Sequence, residues 1–83
     1  MSMLSDVRSV VASSLQLGTR GESLGEASGL LGALPELDSM AVVALLTALE
    51  DRFGILIEDD EISAENLATL GSLTRFVESK VAG

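Results

Sequence analysis

Apolar residues recur at helical spacing in the middle of the chain, and this pattern constrains the fold more than any other feature. Between Ser39 and Phe53 they fall three or four positions apart and form one stripe: Val42, Leu45, Leu46, Leu49 and Phe53. Gly54 follows, and glycine is a typical residue just beyond the end of a helix. The pattern predicts an amphipathic helix from about 39 to 53.

Two further segments repeat this spacing, one near each end of the chain. The first predicts a helix from about Met3 to Leu17, stopped at Gly18, with its stripe formed by Leu4, Val7, Val11 and Leu15. The other predicts a last helix capped by Thr69 or Ser72, with an apolar face formed by Leu70, Leu73, Phe76, Val77 and Val81. A short third helix is expected over 63–67, between the middle helix and the last one.

Residues 18–38 connect the first two predicted long helices, and their apolar residues show no clear helical or strand spacing. They contain five of the eight glycines and the only proline. A loop of this length in a small domain needs anchoring, and we expect five leucines to supply it: Leu24, Leu30, Leu31, Leu34 and Leu37. The resulting prediction is a single all-α domain over residues 1–83. It is a four-helix bundle with a short third helix and a long loop between helices one and two.

The composition excludes several classes of active site. The chain has no histidine and no cysteine, so it cannot build a Ser-His-Asp or Cys-His device, a Cys/His zinc site or a disulfide. General acid–base catalysis at neutral pH would then depend on carboxylates alone, which disfavours a small hydrolase. Neither a signal peptide nor a stretch of about 20 apolar residues is present, which leads us to expect a cytoplasmic protein without membrane insertion.

The negative charge of the chain is concentrated in one part of it. The formal net charge is −8, and nine acidic residues but only one basic residue lie between Glu36 and Glu65. Such a field repels nucleic acid and favours a basic protein partner, although acids also keep a small apolar protein soluble. The acidic run 58–61 lacks the glycine and the alternating ligand spacing of a calcium loop, so no metal site is expected.

The segment Asp38-Ser39-Met40 stands where the middle helix is predicted to begin. Either Asp38 or Ser39 is suited to cap this helix by accepting a hydrogen bond from a free backbone N–H of the first turn. One hypothesis is therefore an acidic helical interaction module in which Ser39 is only a helix cap.

Four sequence blocks, in order, resemble the acyl carrier protein family. The first is Asp38-Ser39-Met40, and the second is ALEDRFGI at 48–55, which is similar to the end of that family's second helix. The run 57–61 resembles the turn that follows, and TLGSL at 69–73 with Phe76 and Val77 resembles the last helix. The resemblance covers about residues 3 to 81.

This resemblance implies a function and a modification site. Ser39 would be the residue to which a phosphopantetheinyl transferase attaches 4′-phosphopantetheine, taken from coenzyme A and bound covalently, with Asp38 beside it. The arm would carry acyl groups as thioesters to partner enzymes of fatty-acid, polyketide or specialised acyl-transfer pathways. A D-alanyl or peptidyl carrier is the alternative within the family. The carrier itself would catalyse nothing and would be a monomer.

The resemblance also indicates a surface for partner enzymes with basic docking sites. Its apolar contacts would come from Met40, Val43, Ala44 and Thr47, and its electrostatic rim from Glu36, Asp38, Glu50, Asp51, Glu58, Asp59, Asp60 and Glu61. Family members often carry acids two and five residues after the serine, where this chain has Ala41 and Ala44. This difference predicts a more apolar contact with the partner enzyme. It also predicts a carrier that serves one dedicated pathway and is not interchangeable with a generic fatty-acid carrier.

Overall fold

The computed structural model of the chain describes residues 3–58 and 60–83. These residues form four helices and no β-strand: α1 (Met3–Ser14), α2 (Thr19–Glu22), α3 (Ser39–Phe53) and α4 (Leu70–Ala82). Helix α1 packs against each of the other three. The all-α prediction with four helices is confirmed.

The short helix occupies a different place from the one expected. It lies at Thr19–Glu22 inside the long first connection, whereas residues 64–67 of the expected segment form a turn. The backbone N–H of Ser63 donates to Asn66 Oδ1 at 3.0 Å, and the backbone N–H of Asn66 donates to Ser63 Oγ at 3.4 Å. This reciprocal pair has the capping-box pattern of a helix start, and the Leu67 N–H donates to the Ser63 carbonyl at 3.3 Å. The next backbone bond runs from the Ala68 N–H to the Glu65 carbonyl, three residues back, so the segment makes one turn and does not continue as a helix.

Helix α1 ends earlier than expected, at Ser14 and not at Leu17. Gln16 adopts the left-handed conformation with φ 55°, while Leu17 N–H donates to the Ala12 carbonyl at 2.9 Å and Gln16 N–H to the Ser13 carbonyl at 3.3 Å. This bond pair is the Schellman arrangement, in which glycine is the usual left-handed residue. The sequence signal pointed to Gly18 because glutamine rarely takes this position.

Helix α4 begins with a capping box. The Ser72 N–H donates to Thr69 Oγ1 at 3.0 Å, and the Thr69 N–H donates back to Ser72 Oγ at 3.1 Å. Thr69 is therefore the cap, and Ser72 is its reciprocal partner three residues into the helix. The sequence had left this choice open.

A single apolar core lies between the helices. Its fully buried side chains come from α1, α3, α4 and the first loop: Val7, Val11, Leu30, Leu45, Leu49, Leu70, Leu73 and Val77. Leu24 and Leu37 are also buried and Leu34 is half-buried, so four of the five loop leucines anchor the loop as expected. The prediction is wrong for Leu31, which is 38% exposed. Val81, assigned to the apolar face of the last helix, lies near the end of α4 and is 48% exposed.

Backbone hydrogen bonds fix the long loop to the start of α4. Leu30 and Leu31 N–H donate to the carbonyls of Ala68 and Leu67 at 2.8 and 2.9 Å, and Leu70 N–H donates to Ser28 at 3.0 Å. Gly71 N–H donates to Glu26 at 2.8 Å, and a Cβ at position 71 would lie 2.8 Å from that same carbonyl oxygen. The segment is thus held in place although it has little regular structure.

Across the described part of the chain, every helix is too short or too polar to cross a lipid bilayer.

Candidate functional site

The N-terminus of α3 is capped by the side chain of Asp38. Asp38 has extended backbone angles, and its Oδ1 accepts the Ala41 N–H at 2.8 Å, while its carbonyl accepts the Val42 N–H at 2.9 Å. One carboxylate thus binds the third N–H of the helix, the usual geometry of an aspartate cap. The prediction that Asp38 or Ser39 caps the helix is resolved in favour of Asp38.

Ser39 is the first residue of α3, and its side chain is exposed. Within residues 3–58 and 60–83, its hydroxyl makes no hydrogen bond, and the N–H groups of Ser39 and Met40 have no acceptor. Unpaired N–H groups at a helix start, together with the positive end of the helix dipole, favour a negatively charged group. Ser39 therefore offers a free oxygen where a phosphate would be stabilised.

An open groove of about 420 Å³ begins beside Ser39. Asp38, Ser39 and Ser63 supply its polar lining, and the rest comes from the first loop, α3 and the 62–67 segment: Leu31, Leu37, Val42, Ile62, Ala64 and Leu67. No sequence pattern predicts this groove, because its walls come from three segments that only tertiary packing brings together.

The outward side of α3 carries no formal charge over its first two turns. Met40 is 82% exposed and Val43 is 65% exposed, and Ala44 and Thr47 are exposed beside them. Thr47 Oγ1 donates to the Val43 carbonyl at 2.9 Å, so its hydroxyl is satisfied within the helix. We call these four residues the apolar face of α3. The structure brings them together next to Ser39.

Three acids expected at the rim are occupied by bonds within the chain. Glu36 pairs with Arg20 at 2.6 Å, Glu50 Oε2 accepts the Ile57 N–H at 2.8 Å, and Glu61 pairs with Lys80 at 2.7 Å. A backbone hydrogen bond and the Arg20 guanidinium lower the pKa of Glu36, against a smaller rise from burial. These carboxylates hold loops to helices, and the charges of Glu36 and Glu61 are partly neutralised by their basic partners.

Most of the remaining acids of the predicted rim are free to meet a basic group on a partner. Asp51, Glu58 and Asp60 are exposed, and none of the three forms an ion pair with a basic residue in the described ranges. Asp38 is exposed but committed to its cap. Asp59, which the sequence also assigned to this rim, lies outside the described residues.

Three features meet at the start of α3 in the described structure. Asp38, the carboxylate next to Ser39, is bonded to Ala41 N–H, and residues 3–58 and 60–83 hold no cluster of acids suited to a metal ion. What the arrangement provides is a free hydroxyl at a helix start, an apolar groove on one side and an apolar helix face on the other.

Comparison with known proteins agrees with this geometry. Residues 5–77 match the family model described as a phosphopantetheine attachment site. An acyl carrier protein of Wolinella succinogenes is 38% identical over 79 residues, covering 95% of this chain and 97% of the relative. One from a Sulfurovum species is also 38% identical over 79 residues, with 95% and 99% covered.

A solved structure gives the same result. The solution NMR structure of a holo acyl carrier protein from Nitrosomonas europaea superposes on this chain with a TM-score of 0.91. The two sequences are 51% identical, and the match covers 100% of both chains.

Proposed function

Because the chain belongs to the acyl carrier protein family, whose members carry 4′-phosphopantetheine covalently, we propose that Ser39 is the residue that bears this group. The observation that carries the proposal is the free, exposed hydroxyl of Ser39 at the start of α3. Since Asp38 supplies the cap, the helix has no need of the Ser39 side chain. A role of Ser39 as a mere cap is therefore disfavoured.

The residues around Ser39 fit a phosphodiester. The N–H groups of Ser39 and Met40 are unpaired in the described structure, and they lie at the positive end of the α3 dipole, where a phosphate is stabilised. When bound, the group supplies the thiol on which an acyl chain is held as a thioester. The chain has no cysteine of its own, so any working thiol must come from the cofactor.

The role of the polypeptide is to position the attached group and to present it to partner enzymes. It holds the attachment oxygen on a rigid helix anchored by the buried side chains of Leu45 and Leu49, and it catalyses no reaction itself. We place it in the cytoplasm as a monomer. Its partners are a phosphopantetheinyl transferase and enzymes that load, alter or unload acyl groups.

These partners are proposed to dock on the apolar face of α3. Met40 and Val43 would enter an apolar depression on the partner, and basic residues at its edge would meet Asp51, Glu58 and Asp60, the unpaired acids of the rim. Surface charge of this kind accelerates encounter, while buried apolar contacts supply most of the binding free energy.

The assignment of Ser39 is tested by a transferase reaction in vitro. The apo protein is incubated with coenzyme A and a phosphopantetheinyl transferase of broad specificity, and intact mass is measured over time. The wild-type protein is expected to gain one phosphopantetheine, and Ser39→Ala is expected to gain none.

Ser23→Ala is the matched control, because Ser23 is also exposed and, among the described residues, its hydroxyl donates to the Arg20 carbonyl alone, at 2.8 Å. This variant should gain mass as the wild type does. Modification of Ser39→Ala, or loss of modification in Ser23→Ala, would overturn the assignment.

A further inference from the structure

We propose that Met40 is a reversible oxidation site and that its conversion to the sulfoxide weakens partner docking. The placement of the sulfur rests on the structure alone, whereas the consequence for docking rests on the function proposed above. The oxidant is a peroxide or a hypohalous acid, and the substrate is the Met40 thioether.

Met40 differs from Met3 in its surroundings. Its side chain is 82% exposed, and it lies outside the apolar core, whereas Met3 is half-buried and packs against that core. Oxidation of a methionine depends on access of the oxidant to the sulfur. Met40 should therefore react before Met3.

The chemical step is an oxygen transfer that balances without any group from the protein. A lone pair of the Met40 sulfur attacks one oxygen of hydrogen peroxide, the O–O bond breaks, and a sulfoxide and water are formed. Sulfur is oxidised by two electrons and the peroxide is reduced by two. Reductases specific for the two sulfoxide epimers return the thioether with electrons from thiols.

Oxidation of Met40 changes only the surface of the protein, but it changes the apolar face of α3 on which partners are proposed to dock. Because Met40 is not part of the core, its oxidation should leave the helix packing intact. It turns a flexible apolar side chain into a polar one, directly after Ser39 and beside Val43 on a face without formal charge. A partner that buries this face must then desolvate the sulfoxide oxygen without a matching donor.

The first experiment measures the site of oxidation on the apo protein, which has no thiol to compete for the oxidant. The protein is treated with limiting hydrogen peroxide, and sulfoxide at each methionine is quantified by peptide mass spectrometry. Sulfoxide should accumulate several times faster at Met40 than at Met3. Equal rates, or faster reaction at Met3, would overturn the proposal.

The second experiment measures docking through the initial rate of modification by the phosphopantetheinyl transferase. Each protein is compared with its own untreated sample, so any intrinsic effect of a substitution cancels. Oxidised wild-type protein and oxidised Met3→Leu should react roughly fivefold more slowly, as expected for the loss of one apolar contact. Oxidised Met40→Leu should keep a ratio near one, and the reductases should restore the wild-type rate.

The outcomes separate this proposal from the one on which it rests. If untreated wild-type protein is not modified at all, the proposed function fails, while the oxidation map still tests the reactivity of Met40. If untreated protein is modified and oxidised wild-type protein reacts equally fast, the effect on docking is refuted while Ser39 remains the attachment site.

Discussion

At the scale of single residues, two neighbouring polar side chains behave differently at the start of α3: Asp38 caps the helix and Ser39 does not. Asp38 binds the Ala41 N–H at 2.8 Å and satisfies the helix start, which leaves the Ser39 hydroxyl free. Had the serine been the cap, its oxygen would be held toward the helix backbone and turned away from a partner enzyme. The sequence narrowed the cap to these two residues, but side-chain geometry was needed to choose between them.

This division predicts different effects of two alanine substitutions on stability. Asp38→Ala should lower the free energy of unfolding by about 1 kcal/mol, because it removes the cap. Ser39→Ala should change it by less than about 0.5 kcal/mol, since an exposed side chain without a bond is lost. Urea denaturation of the apo proteins measures both. A larger loss for Ser39→Ala than for Asp38→Ala would identify the serine as the cap.

Gln16 gives a second residue-scale prediction, far from the site. Its φ of 55° places a side chain in a conformation that suits glycine. Gln16→Gly should therefore raise the free energy of unfolding by about 0.5–1 kcal/mol, the left-handed strain being partly offset by the greater freedom of glycine in the unfolded chain. Gln16→Ala keeps a Cβ and should give no such gain in the same urea titration.

At the scale of helices, apolar periodicity was sufficient to predict the three long ones. Each carries a stripe of four or more apolar residues, and spacing that repeats over several turns is a stronger signal than the preference of any single residue. Four-residue α2 has no such repeat. The 63–67 segment has a capping-box pair, Ser63 and Asn66, but makes only one turn, which is too short for periodicity to separate from a helix. The groove beside Ser39 was not predictable, since Leu31, Ile62 and Leu67 meet only through packing.

The outward face of α3 gives an element-scale prediction about docking. Val43→Glu should slow modification by a phosphopantetheinyl transferase at least roughly fivefold, because a charge replaces an apolar contact in the docked complex. Val81→Glu is the matched control, because Val81 is also exposed, at 48%, but lies on α4. Initial rates from intact mass measure both variants. Equal slowing in the two would indicate general repulsion and no docking on α3.

At the scale of the whole molecule, the net charge of −8 acts as a field with few positive charges to interrupt it. Four of the five basic side chains have partners within the chain: Arg8 donates to the Leu24 carbonyl, and Arg20, Arg52 and Lys80 form ion pairs with Glu36, Asp6 and Glu61. A positively charged partner is therefore attracted over several ångströms, and added salt should reduce that attraction. Charge and its clustering were readable from the sequence, whereas the pairing of individual acids was not.

The ion pair between Lys80 and Glu61 predicts how stability depends on pH. The hydrogen bond from Lys80, and then that from the Glu58 N–H, lower the pKa of Glu61 from its usual 4.5. A carboxyl with a lowered pKa in the folded state stabilises the fold above its unfolded pKa, and this contribution is lost as the pH falls through the folded pKa. The difference in stability between wild type and Glu61→Gln should thus be constant near neutral pH and shrink below about pH 4.5.

Urea titrations of both proteins across this range measure the difference directly, and the general effect of protonating the other acids cancels in the comparison. Lys80→Gln should shrink the pH dependence assigned to Glu61 as well. A difference that grows toward low pH would contradict the sign of the pKa shift.

The most direct test of the account is to locate the prosthetic group on protein purified from its native host. Trypsin releases residues 21–52 as one peptide, which contains four hydroxyl side chains: Ser23, Ser28, Ser39 and Thr47. Fragmentation of this peptide in a mass spectrometer assigns the added phosphopantetheine to one of them. The phosphopantetheine is expected on Ser39 alone. Its presence on another residue, or its absence from the native protein, would contradict the assignment of Ser39.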